Sequence, residues 1–127
     1  MAEEARTISP ENTSGALIAA TKVDGTSVFN RRGDHLGHLS NLMIDKKTGR
    51  VSYALMSFGG FLGIGENYHP LPWSVLNYDE TMGGYVVDID TQTLEEAPHF
   101  AIDDTPAWHR GYGQKVDGYY GVPPSAF

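Results

Sequence analysis

Arg50-Val-Ser-Tyr-Ala-Leu-Met-Ser-Phe58-Gly-Gly-Phe-Leu-Gly-Ile-Gly65-Glu-Asn-Tyr-His-Pro70-Leu-Pro-Trp73 is a strand, a glycine-rich loop and a second, proline-bearing strand in succession. Residues Val51 to Phe58 alternate into two faces, Val51, Tyr53, Leu55 and Ser57 against Ser52, Ala54, Met56 and Phe58. Neither face is polar enough for open water, so one is expected in the core and the other beneath an extension or a second subunit. Gly59, Gly60, Gly63 and Gly65 then interleave with Phe61, Leu62 and Ile64 in a loop. Pro70 and Pro72 each lack a backbone donor, which places the next strand at a sheet edge or at a corner made by Pro72 and Trp73.

Short apolar runs punctuated by turns continue on both sides. Upstream, Ser27 to Asn30 follows an Asp24-Gly25 turn, and Arg31-Arg-Gly-Asp34 is the next turn, with Gly33 supplying a positive φ. Leu36 to Asp45 is the hairpin partner, and its broken alternation from Leu39 to Leu42 predicts a bulge or a bend. Lys46-Lys-Thr-Gly49 closes that hairpin. Downstream, Trp73 to Tyr78 runs into the turn Asp79 to Gly84, and Tyr85 to Asp90 alternates cleanly, with Tyr85, Val87 and Ile89 facing inward. Thr91 to Ala97 is a short helix capped by Asp90 or Thr91, and a second is expected from Asp104-Thr105, ended by Gly111 and Gly113. The fold class is therefore all-β: a small, strongly bent antiparallel β-barrel with one or two short helices. Residues 1–14 are a flexible lead, 15–98 the barrel, and 99–127 an extension rich in aromatic side chains, among them Trp108, Tyr112, Tyr119 and Tyr120. Such side chains want burial, on the barrel itself or on a second subunit.

Composition narrows the function. The 127 residues contain no cysteine, which excludes disulfides, thiolate metal sites and thiol nucleophiles. Lys and Arg total 9 against 16 Asp and Glu, a net charge of −7 that repels phosphate backbones, and no basic patch offsets it. The apolar run Gly15 to Ala20 is too short for a signal-peptide core or a membrane span, so the chain is read as a cytoplasmic protein with neither nucleic acid nor membrane as partner.

Candidate chemistry is sparse. The glycines of the 59–65 loop precede an extended, proline-containing run and no Lys-Ser/Thr pair, so they form a turn and not a phosphate cradle. Asp34, His35 and His38 hold metal-ligand atoms, but the two imidazoles fall on opposite faces of a strand. Asp88 and Asp90 share a strand face, where a carboxylate pair is ordinarily solvated. His99 and His109, near Asp103 and Asp104, have no serine in a nucleophile elbow beside them. No catalytic residue, metal or cofactor is expected.

Val28-Phe-Asn30, Gly33, Gly37, Asp45-Lys-Lys-Thr-Gly49, Tyr53, Ser57 to Gly65 and Leu71-Pro-Trp73 closely resemble the PRC-barrel family over about Gly15 to Asp90. The tail is similar to extensions on small stand-alone bacterial members. The resemblance implies a bent β-barrel like those of the photosynthetic reaction-centre H subunit and of a ribosome-maturation factor that binds a ribosomal protein. In both the barrel serves assembly. This sequence carries neither the anchoring membrane helix of the first nor the separate N-terminal domain of the second, so only structural positions transfer: Gly59, Gly60, Gly63 and Gly65 for the loop, Pro72 and Trp73 for the corner. The expected function is a non-catalytic, homodimeric binding or assembly module whose contact surface includes Ala54, Met56, Phe58, Phe61, Leu62 and Ile64. The alternative is a small-ligand or ion carrier with the aromatic tail as a lid, lined by Trp108, Tyr112 and Tyr119.

Overall fold

The computed structural model describes residues 16–58, 67–101 and 110–123. Among the described residues three helices and seven strands follow in the order α1 (Ala20–Val23), β1 (Ser27–Asn30), β2 (His35–Ile44), β3 (Val51–Phe58), β4 (Asn67–Pro72), β5 (Asn77–Asp79), β6 (Gly84–Val87), α2 (Thr91–Glu95), β7 (Phe100–Ala101) and α3 (Arg110–Tyr120). A 3₁₀ turn, Trp73–Val75, follows β4. The strands form one sheet in the order β5-β6-β1-β2-β3-β4-β7.

That order requires the sheet to curl. Five strand steps separate β4 from β5, roughly 24 Å in a flat sheet at ~4.8 Å per step. The connection from Pro72 to Asn77 spans at most about 18 Å even when fully extended, and the 3₁₀ turn shortens it. The two ends of the sheet must therefore approach each other, and the rings of Trp73 and Tyr85, on β6, meet at 5.6 Å. The curl is built into β2. Its pairing with β3 shifts register between Leu39 and Asn41 and again between Met43 and Ile44, and its pairing with β1 shifts at Val28–Phe29. The shift at Leu39–Asn41 stands where the sequence alternation breaks, the other two have no such signal, and together they let one long strand serve two directions. Inside the curl Val28, Leu39, Ala54, Met56, Leu71, Tyr85, Val87 and Leu94 form one cluster. Each large apolar side chain buried there contributes about 1.5–3 kcal/mol.

The all-β, strongly bent sheet with short helices is the one the sequence predicts, and three details refine it. The barrel is not wholly antiparallel: β6 lies parallel to β1, Val28 opposite Tyr85 and Asn30 opposite Val87, because the chain crosses back over the curl before laying down β6. Nor do ladders close the barrel among the described residues, since β5 and β7 end the sheet. Gly111 and Gly113 do not end a helix. They lie inside α3, which continues to Tyr120 and stops at Gly121, where φ is +69° and the Val122 amide donates to the Asp117 carbonyl. Docking of α3 on the barrel outweighs the low helix propensity of glycine.

The prolines of β4 sit where their missing donors matter least. β4 pairs with β3 along its whole length, but with β7 only at Asn67 and Tyr68. Beyond that point α3 packs against β4 in place of a strand. Val116 and Asp117 of α3 are fully covered, and the Tyr53 hydroxyl on β3 donates toward the Asp117 carboxylate at 3.0 Å. Asp90 caps α2 by accepting from the Thr93 amide at 2.7 Å, as the sequence predicts.

Candidate binding surface

Alternation along β5 and β6 brings side chains of both to one outer region. A cleft of about 520 Å³ is lined by Asn77, Tyr78 and Asp79 of β5, Val86 of β6, Asp88 and Ile89 beyond it, Arg31, Val75 and Tyr120 at the end of α3. Tyr78 is 52% exposed, and Met82, in the turn joining β5 to β6, is 37% exposed. Arg31 and Asp88 approach to 3.9 Å across the rim, both well exposed, a pair worth little by itself. Burial holds the Tyr120 hydroxyl well above its usual range, with Tyr119 and Tyr112 adding to the shift, so Tyr120 lines the cleft as a neutral ring.

The tail enters this cleft through Tyr120, one of the tail aromatics the sequence singles out, and not through the Tyr112 and Tyr119 expected to line a lid. Tyr112 and Tyr119 are not in its wall, and Tyr119 instead donates to the Thr93 carbonyl, tying α3 to α2. Trp108 lies outside the described residues, as do Gly59, Gly60, Phe61, Leu62, Gly63, Ile64 and Gly65. Of the expected contact surface, Ala54 and Met56 have no exposed area and belong to the core cluster. Side chains without surface cannot meet a partner, so these two are withdrawn from that surface. Phe58 is half-buried, its ring edge-on to His69 at 5.2 Å. Pro72 is buried and Trp73 half-buried at the corner where the 3₁₀ turn begins.

The candidate chemical residues disperse. Asp34 accepts from the Asn30 amide nitrogen at 3.0 Å and pairs with Arg32 at 3.4 Å. Asn30 is itself buried, and its side-chain oxygen accepts from the amides of Arg32 and Asp34, so the group is a turn clamp. His35 stacks edge-on against Phe29 and contacts Ser27, while His38 lies within β2. Asp88 reaches Arg31, whereas Asp90 is the cap of α2, and the Thr93 amide and hydroxyl, with Arg32, hold its carboxyl below the usual range. Among the described residues no three His, Asp or Glu side chains gather as a metal-binding group.

One pairing has no sequence signal. His69, buried on β4, stacks on His99 at 5.1 Å with rings 27° apart, and its Nδ1 has no hydrogen-bond partner. Burial, helped by the neighbouring imidazole, pushes His69 down to about 4. His99 Nδ1 lies 2.9 Å from the Ala97 carbonyl. Near-parallel rings direct their lone pairs side by side rather than toward a common point, so the stack is a packing element.

One strongly curled sheet with short helices packed on it defines a small β-barrel module. Residues 16–94 match the family model described as PRC-barrel domain, and the chain belongs to that family. None of the curated proteins matches it. No helix among the described residues is long and apolar enough to cross a membrane.

Proposed function

We propose that this PRC-barrel protein is a non-catalytic, cytoplasmic assembly module that binds protein, a second copy of itself first, through the β5–β6 hairpin and the adjoining cleft. The observation that carries this reading is Tyr78 and Met82 standing exposed on one hairpin beside the half-buried Val75, Val86, Ile89 and Tyr120. Tyrosine, methionine and arginine are the side chains enriched where proteins meet, and Arg31, Asp79 and Asp88 supply a charged rim. The net charge of −7 disfavours nucleic acid as the partner. Sedimentation at micromolar concentration should give a dimer for the native chain and a folded monomer for Tyr78→Asp combined with Met82→Asp. A native chain that stays monomeric at about 100 micromolar removes the self-association reading.

A carrier function is supported by the cleft itself, whose volume of about 520 Å³ lies in the range that holds small ligands. A ligand present at ~100 times its dissociation constant should stabilise the fold by about 2.7 kcal/mol. A metabolite panel that leaves the melting temperature unmoved argues against it.

A further inference from the structure

Helix α3 is weak as a helix and well received as a ligand. It spends three of eleven positions on glycine, at 111, 113 and 118. Each such glycine lowers the helix equilibrium about fivefold relative to alanine, and isolated helices of this length are marginal even when rich in alanine. At Gly118 a Cβ would stand in open space, so packing does not demand the weakness there. The receiving surface is specific. The Tyr53 hydroxyl, nearly inaccessible, has three acceptors around its single proton: Asp117 Oδ1 at 3.0 Å, Asp117 Oδ2 at 3.1 Å and the Gly113 carbonyl at 3.2 Å. One hydroxyl thus reads a carboxylate and the backbone one helical turn before it, where Gly113 is buried. Val116, also fully buried, fills the apolar part of the contact. The floor cannot take a strand instead, since Pro70 and Pro72 of β4 offer no N–H there.

We propose that the groove over Tyr53 and the proline half of β4 is a receptor for an amphipathic helix, and that α3 is its resident, displaceable occupant. The partner is a protein helix with Asp or Glu facing Tyr53, an aliphatic residue immediately before the acid, and glycine or alanine four residues before it. A partner helix with fewer glycines has the same contacts and a smaller folding cost, so it displaces α3. The floor of this groove lies outside the β5–β6 hairpin, so mutation of Tyr78 and Met82 leaves it in place, while displacement of α3 also removes Tyr120 from the adjoining cleft.

The test uses the full-length chain and a fluorescein-labelled peptide of residues 110–123 carrying Gly111→Ala and Gly118→Ala. Anisotropy should show saturable binding, at least tenfold weaker when the peptide also carries Asp117→Ala. A full-length Asp117→Ala chain, its own helix loosened, should bind the peptide more tightly than the native chain, and full-length Gly118→Ala about fivefold less tightly. In the native chain, amides of α3 should exchange with solvent at least tenfold faster than those of β3. Exchange of α3 at the rate of β3, or absence of peptide binding to a folded Asp117→Ala chain, overturns the proposal. If Asp117→Ala fails to fold, the native and Gly118→Ala chains decide by the same two measurements.

Discussion

Glycine separates by environment in this chain. A Cβ on Gly37 would run into the Ser57 carbonyl of the neighbouring strand and press on Met56, and one on Gly84 would strike the Ser27 carbonyl and the Phe29 ring. Backbone cannot yield there as a flexible side chain does, so Gly37→Ala is expected to cost on the order of 2 kcal/mol or more in urea unfolding. Gly118→Ala should instead stabilise by about 0.5–1 kcal/mol. His69 carries a pH dependence. Its ordinary value of 6.5 falls to about 4 in the fold, so the unfolded chain binds the extra proton between those values. Stability from this group is fully present above pH 6.5 and drains as pH falls toward 4, by about 2 kcal/mol once screening is allowed for. Asp45 and Asp90 do not compete in that window, because both are lowered from 3.8 and lose their contribution only below it. Urea midpoints measured from pH 7 to 4 should fall for the native chain and flatten for His69→Leu.

Elements differ in how openly the sequence declares them. The hairpins were legible because Gly25, Gly33, Gly49 and Gly83 take positive φ values at their turns, and the bend of β2 showed as broken alternation. The cap of α2 was legible to within one residue, Asp90 or Thr91, and the Asp90 side chain takes it. Replacing it, Asp90→Ala, should lower the midpoint of chemical denaturation. Helix α3 was hidden, because its glycines argue for a stop and the opposing force comes from Tyr53, more than fifty residues earlier in the chain. The proposed binding surface was hidden for a related reason. Two apolar strand faces in β3 suggest an outer contact, yet residues 53–57 are all buried, and Tyr78 and Met82 on the short β5–β6 hairpin are among the apolar side chains left exposed. Local pattern records what a strand can bury, and only tertiary closure decides which face is used.

At the scale of the whole molecule, the complete sheet and its curl belong to one equilibrium state. The short path from Pro72 to Asn77 cannot be laid out without bringing the ends of the sheet together, and Trp73 against Tyr85 marks the place. In a Trp108→Phe background, Trp73 emission and far-ultraviolet dichroism should therefore lose their native signals at the same urea concentration, and separated midpoints would mean a sheet that survives uncurled. The parallel pairing of β1 with β6 has a further consequence during synthesis. Strands β1 to β4 can assemble by successive hairpins as they leave the ribosome, but the outer side of β1 pairs with Tyr85, Val86 and Val87, which are made much later. Until those residues emerge, the nascent chain holds a row of unanswered amides and carbonyls at Ser27 to Asn30, an adhesive margin toward other nascent chains. Translation speed between Asn30 and Gly84 thus sets how long that margin stays open, and with it the yield of native protein.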